Sequence, residues 1–309
     1  LNQIVFKSIP LLKLNTLLYY IKACFHVLFV SNYHLIHLHH SDAAFIIPLL
    51  RLKYKVVVTT HGVHIASKRP KWKRYKWFFQ IQMPLLNRAN VVTCVSKVEK
   101  KWFLSNLKID AHYIPNGINI PQNIQEQIVP EKYIFFGAGR IIKTKGAEIL
   151  LGALNKMDYT GKIIIAGNIN HSKDYKAEIL GLAKSLNVDF VGLIKDKNQL
   201  LTYIHNSKLF VFPSSMEAMS MMLLEAASVK AKIVCSDIEE NKDVFTEDEV
   251  LFFQTDNIND LIAKIHYAFV NENLMIEKSQ KGFQKLVNNY TWDSISKEYD
   301  NIYCGLMAN

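Results

Sequence analysis

What most constrains the fold is an alternation that runs along almost the whole chain: short apolar runs, each ending in polar or small residues, are separated by stretches of helical periodicity. In the first part Leu35 to His39, Lys55 to Thr60, Val91 to Ser96 and His112 to Pro115 read as strands. In the second part Tyr133 to Gly137, Lys162 to Ala166, Phe190 to Leu193, Leu209 to Phe212, Lys232 to Ser236 and Val250 to Phe253 do so. Such alternation predicts parallel, doubly wound sheets. A chain of 309 residues, half of them apolar, can fill two cores. The polar, glutamine-rich segment Pro121 to Pro130 reads as a linker, and Trp292 to Leu306 as a terminal helix. Leu14 to Val30 is apolar but interrupted by Lys22 and His26, so it reads as a core helix rather than a membrane span. No signal peptide is evident.

Ligands on such sheets bind beyond the carboxyl ends of strands, which makes His39, His40, His61, Gly62, Ser96, Asn116 and Gly117 candidates in the first part. In the second, Glu217 stands where the strand Leu209 to Phe212 gives way to the helical run Met221 to Ala227, and Glu225 follows eight positions later. Were every step between them helical, the rise would be about 12 Å, the span from the sugar to the ribose of one nucleotide-sugar. Upstream, Arg140 and Lys145 follow another strand. Arg140 can fork onto phosphate oxygens and Lys145 supplies a point charge. Gly137, Gly139 and Gly146 allow close backbone approach, and a helix starting near Ser220 adds its N-terminal dipole. Together they suit a diphosphate leaving group whose developing charge is met by fixed cations instead of a metal. No Asp-x-Asp motif stands at a suitable strand end, so no metal and no other cofactor is expected.

The stretch from Phe212 to Ala226, with Glu217 and Glu225 inside it, resembles the two-glutamate signature of the family-four retaining glycosyltransferases, and Gly139-Arg140 to Lys145-Gly146 is similar to that family's diphosphate-binding segment. The two segments lie about 75 residues apart, in the family's order. The resemblance covers nearly the whole chain. It implies the GT-B fold, in which two Rossmann-like doubly wound parallel-sheet domains face a cleft. Residues 1–122 would form the acceptor-side domain, 123–290 the nucleotide-sugar domain, and 291–309 a terminal helix crossing back to the first domain. The chain opens at Leu1 almost directly into Ile4-Val5-Phe6. The resemblance therefore implies an incomplete first domain, with roughly 40 to 60 residues and two strands preceding, one of them central and leaving an unpaired edge.

By the same resemblance Glu225 holds the ribose hydroxyls and Glu217 the donor sugar, with Ala218, Met219, Ser220 and Met221 around that sugar and Gly139 at the diphosphate. Family members commonly carry glycine where this chain has Ala218 and Ser220, a departure that narrows the pocket. His61, which precedes Gly62, matches the family's histidine near the reacting carbon. Retention would follow from same-face attack, in which the leaving phosphate helps to deprotonate the acceptor and Glu217 is no nucleophile.

Beyond His61, the basic residues Lys68, Arg69, Lys71, Lys73, Arg74 and Lys76 are interleaved with Trp72, Tyr75 and Trp77. With the net charge of +10, this segment suits an anionic bilayer or a lipid-linked diphosphate acceptor. The same His-Gly and Lys-Trp pattern resembles surface-polysaccharide enzymes, some of them rhamnosyltransferases. The expected partners are a nucleotide-sugar donor, a saccharide or lipid-linked acceptor and an anionic membrane surface, and the expected location is peripheral, at the cytoplasmic inner face of the cell membrane. Cys24, Cys94, Cys235 and Cys304 have neither paired nor metal-like spacing, which fits a reduced cytoplasm and argues against zinc. His37, His39 and His40 read as packing residues rather than ligands, because neighbours on a strand point to opposite faces.

Competing readings are a truncated or degenerate relative that binds nucleotide without turnover and, on the same fold, phosphorolysis or sugar epimerisation. A nucleic-acid-binding protein rests on charge and aromatics alone, without a motif. For single residues, Glu217 can be a helix-start carboxylate, His61 a strand-end histidine, and the basic stretch a solvated face.

Overall fold

A computed structural model describes residues 3–6, 15–30, 32–68, 80–122, 124 and 132–308. It divides into two compact units: Leu1–Pro115 with Ser296–Asn309, and Asn116–Ile295. The sequence placed its boundaries after residues 122 and 290.

The first unit holds a parallel sheet of four strands in the order β1 (Leu35–His39), β2 (Lys55–Thr60), β3 (Val91–Cys94) and β4 (His112–Tyr113). The β-branched run Val56-Val57-Val58 is fully buried, as a central parallel strand covered on both faces must be. β3 stops two residues before Ser96, whose hydroxyl accepts the Glu99 N–H at 3.1 Å and starts the helix Lys97–Leu107. Ser96 is 2% exposed, so its role is a helix cap and not the ligand-facing one expected of it.

Of the run expected to be a core helix, the described part, Asn15 to Val30, departs from its expected place in the core. It forms an α-helix, Asn15–Phe25, and a π-helical turn, His26–Val30, of which only Cys24 is buried. Phe25, Phe29 and Val30 are each at least 60% exposed. Apolar composition cannot say which face is covered, and Tyr20, Val27 and Leu28 make the partial contacts with the core.

The second unit carries six parallel strands in the order β10 (Leu251–Phe253), β9 (Ile233–Ser236), β8 (Leu209–Phe212), β5 (Ile134–Arg140), β6 (Ile163–Asn168) and β7 (Val188–Gly192). Side chains alternate across it. Ile134, Phe136, Ile163, Ile165, Leu209 and Val211 enter one core, while Phe135, Phe210 and Phe212 build an aromatic stack on the other face, with successive centroids 6.1 Å apart. Full burial of each such ring contributes about 1.5–3 kcal/mol. The helix Ile258–Val270 turns Leu261, Ile265 and Ala268 inward at helical spacing, capped by Asn257 at its start.

From β5 the chain winds outward through β6 and β7, then returns to β8 beside β5 and continues the other way. The crevice between β5 and β8 is thus the topological switch point, where a doubly wound sheet binds its ligand at the carboxyl ends. Arg140 ends β5, with Lys145 in the turn that follows, and the Glu217 segment follows β8. The last helix, Trp292–Ala308, passes from the second unit into the first. No helix among the described residues is long and apolar enough to cross a membrane.

Candidate functional site

At the switch point β5 runs on to Gly139 and Arg140, both exposed, after a register shift against β6 between Gly137 and Arg140. A short 3-10 turn, Lys143–Lys145, follows and ends at Gly146. Gly146 has φ 73°, and a Cβ there would collide with the Pro213 carbonyl. Glycine is therefore what lets the Lys145 turn lie against the end of β8. Two hydrogen bonds fix that approach: Ser214 Oγ and the Ser215 N–H both donate to the Thr144 carbonyl, at 2.9 and 3.0 Å.

The result is an ion pair across the crevice, with Lys145 Nζ donating to Glu217 Oε1 at 2.6 Å. Glu217 is 8% exposed as a residue. Such a carboxylate is costly to bury without a partner, and Lys145 supplies one.

The loop between β8 and the next helix is held from below. Ser220 Oγ donates to Asn241 Oδ1 at 2.5 Å, and Asn241 Nδ2 donates to the Ser236 carbonyl at 2.9 Å. Ser236 Oγ in turn donates to the Ser214 carbonyl at 2.5 Å. All four residues are inaccessible to solvent, and a satisfied buried network of this kind specifies a single loop geometry. Met219 is buried, with its sulfur accepting the Asn116 N–H at 3.1 Å, while Ala218 and Met221 are half-buried. The helix starts at Met221 and ends at Ser228. The all-helical spacing between the two glutamates is thus corrected: the chain from Glu217 to Ser220 is irregular.

Glu225 lies inside that helix, 8% exposed. Lys197, the first residue of the helix Lys197–His205, forms an ion pair with its Oε1. Its Oε2 is buried and has no hydrogen-bond partner among the described residues. Sequence reading found neither Lys197 nor Asn241. Both sit in charged, polar runs that look like solvated helix starts.

In the first unit His61 follows β2 and is exposed. Gly62, with φ 90°, makes the turn behind it. Glu99, which is fully buried, accepts the N–H groups of Gly62 at 3.0 Å and Val63 at 2.6 Å and so fixes the turn. Burial raises the Glu99 pKa, partly opposed by those two donors. The His61 ring stacks on His39 with centroids 5.9 Å apart, and His39 lies 4.2 Å from His37. His37 is bonded at both nitrogens, to Tyr303 Oη and Thr59 Oγ1, each at 2.6 Å. Burial lowers the pKa of all three, His37 to about 4, with charge from the neighbouring histidines adding to the effect at His37 and His61. His40 goes the other way, raised by its bond to Asp42.

Gly117 is a packing glycine rather than a ligand contact, since a Cβ there would stand 2.7 Å from the Trp292 ring. Lys68 ends the helix Val63–Lys68, and Arg69, Lys71, Trp72, Lys73, Arg74, Lys76 and Trp77 lie outside the described residues. Among the described residues no group of three or more His, Cys, Asp or Glu is arranged to hold a metal ion.

Residues 120–285, which contain the switch-point site, match the family described as Glycosyl transferases group 1, and residues 3–122 match Glycosyltransferase Family 4. The chain belongs to the group 1 glycosyltransferases. This glycosyltransferase is 32% identical over 66% of its length to the capsular polysaccharide biosynthesis glycosyltransferase CapH of Staphylococcus aureus, of which the match spans 61%. It is 29% identical over 50% of its length to the Campylobacter jejuni N-acetylgalactosamine-N,N'-diacetylbacillosaminyl-diphospho-undecaprenol 4-alpha-N-acetylgalactosaminyltransferase, of which 42% is covered. The match thus spans about two fifths to three fifths of these two relatives. Among solved structures, Anabaena HepE in complex with UDP-glucose superposes with a TM-score of 0.77 at 15% identity, covering 98% of this chain and 85% of that one. That likeness is one of fold, and the fold is GT-B.

Proposed function

We propose that the protein is a retaining, metal-independent glycosyltransferase that moves a sugar from a nucleotide-sugar to a saccharide acceptor, lipid-linked, in the synthesis of a capsule, O-antigen or other surface polysaccharide. The observation that carries this reading is the meeting of Lys145 and Glu217 at the switch point, downstream of Arg140 on β5. Arg140 and Lys145 stabilise the departing diphosphate, as fixed cations do best where no reorganisation is needed. Glu217 holds a hydroxyl of the donor sugar beside the backbone of Ala218 to Met221, and Gly139 leaves room for phosphate. Glu225 takes the ribose. His61 orients the donor sugar or the acceptor at the reacting carbon. No step uses a protein nucleophile: the acceptor hydroxyl attacks the face from which the phosphate leaves and passes its proton to that phosphate.

The acceptor class is supported by the capsular and undecaprenol-linked relatives. The basic and aromatic segment from Lys68 to Trp77 would place the protein at the inner face of the membrane, where such an acceptor lies. The test is turnover of UDP-, GDP- and TDP-sugars with an undecaprenyl-diphosphate saccharide, in buffer containing EDTA, with the product anomer read by NMR. Retention and full activity in chelator are expected. An inverted product, or activity restored only by magnesium or manganese, overturns the mechanism, and nucleotide binding without turnover selects the non-catalytic reading.

A further inference from the structure

Glu225 carries two observations that belong together. The residue is 8% exposed, and its two oxygens are treated differently: Oε1 is paired with Lys197, while Oε2 is buried and has no hydrogen-bond partner among the described residues. A buried acceptor left without a donor is costly, so Oε2 calls for a ligand that supplies one. Lys197 stands at an unfavourable place for its charge. It is the first residue of the helix Lys197–His205, where the dipole disfavours a cation. Asp196 caps that helix by accepting the Gln199 N–H at 3.0 Å, which fixes the first turn from which Lys197 reaches across. The Lys197 side chain is 51% exposed, so its packing contributes little and its pairing with Glu225 is its main interaction.

We propose that Lys197 is a positioning residue for nucleotide binding: by pairing with Oε1 of Glu225 it holds the carboxylate so that, when a nucleoside diphosphate binds, Oε2 accepts a hydroxyl of its ribose. The inference rests on the reading of Glu225 given above and adds a residue from a different helix to the same subsite. It also accounts for a lysine at a helix start, where the dipole disfavours its charge. Arginine reaches the same oxygen and preserves the pairing. Glutamine cannot, since its amide carries no charge.

Calorimetry on the full chain tests this, with UDP, GDP and ADP and with the 2',3'-dideoxy form of whichever binds most tightly. Lys197→Gln is expected to weaken the ribonucleotide about tenfold, the scale of one charge-assisted hydrogen bond, and to leave the dideoxy form unchanged. Lys197→Arg is expected to stay within about threefold of the parent. In a Glu225→Gln background the effect of Lys197→Gln should vanish. Parent-like binding by Lys197→Gln overturns the proposal. So does an equal loss for the ribo and dideoxy forms, which would make Lys197 a contact of the base or phosphate. If Glu225→Gln alone leaves the ribonucleotide unaffected, the reading of Glu225 falls and this inference falls with it.

Discussion

Lys145 and Glu217 meet at 2.6 Å although they follow different strands and lie 72 residues apart. Neither can be removed without leaving the charge of the other unpaired. Lys145→Ala should cut transfer at least a hundredfold, as removal of a preorganised donor does, and it should also lower stability because Glu217 stays buried. Glu217→Ala should cut transfer with a smaller stability loss, since Lys145 can turn to solvent. Thermal melts beside single-turnover rates distinguish the two, and equal melts for both variants would refute the asymmetry.

The two glutamates should fail in different assays. Glu225→Ala should weaken binding of the free nucleoside diphosphate by about 1.5–3 kcal/mol, the range for a hydrogen bond to a charged group. Glu217→Ala should leave that affinity intact and weaken only the intact nucleotide-sugar. Titration of both ligands into both variants is the measurement.

Gly146 is fixed by its positive φ and by the Pro213 carbonyl beside it. Gly146→Ala should therefore destabilise the protein by more than about 1 kcal/mol and separate the Lys145 turn from β8. A lowered melting temperature together with lost nucleotide binding is expected, and an unchanged melting temperature would contradict the contact.

Acid should destabilise the first unit. His37, His39 and His61 have folded pKa values below the ordinary 6.5, His37 at about 4. Below pH 6.5 the unfolded chain binds protons that the folded one refuses, so stability is complete above that pH and falls as pH drops toward 4. For His37 the loss is on the order of 3 kcal/mol at most. His37→Gln should flatten the slope of denaturant stability between pH 6.5 and 4, as read by chemical denaturation at stepped pH.

The membrane reading makes its own demand. The protein should float with anionic liposomes, less so as salt rises, and charge reversal across Lys71, Lys73 and Lys76 should abolish binding, at about 1 kcal/mol per basic residue near the surface. Equal recovery with neutral liposomes would remove the case for an electrostatic attachment.

The sheets were legible because buried parallel strands are continuous apolar runs: β1, β2 and β8 fall where Leu35 to His39, Lys55 to Thr60 and Leu209 to Phe212 placed them. β5 continues three residues past Gly137, since Gly137-Ala138-Gly139 carries no strand signal of its own and is held by its neighbour β6. β7 begins two residues before Phe190, at the sheet edge where burial is partial. The structure brings Lys145 and Glu217 together, and that each follows a strand could be read from chain order. Asn241 and Lys197 could not, because their roles come from partners 21 and 28 positions away, and Glu239-Glu240-Asn241-Lys242 looks like any exposed helix. The helix Asn15–Phe25 misled for a related reason: a mostly apolar segment does not reveal how much of it the fold covers.

The bolted loop from Ser214 to Ser220 bears on how such an enzyme can change its sugar preference. Ser220, Ser236 and Asn241 bond through their side chains, and Ser214 accepts through its carbonyl, in the interior, so a substitution at Ser220, Ser236 or Asn241 leaves a buried partner unsatisfied, and those three positions are open to redesign only as a set. Variation is left to the half-buried side chains of Ala218 and Met221, which can be exchanged one at a time on an unchanged backbone. Under the proposed donor site, an evolutionary or laboratory path to a new donor runs through those two positions before it touches the scaffold beneath them.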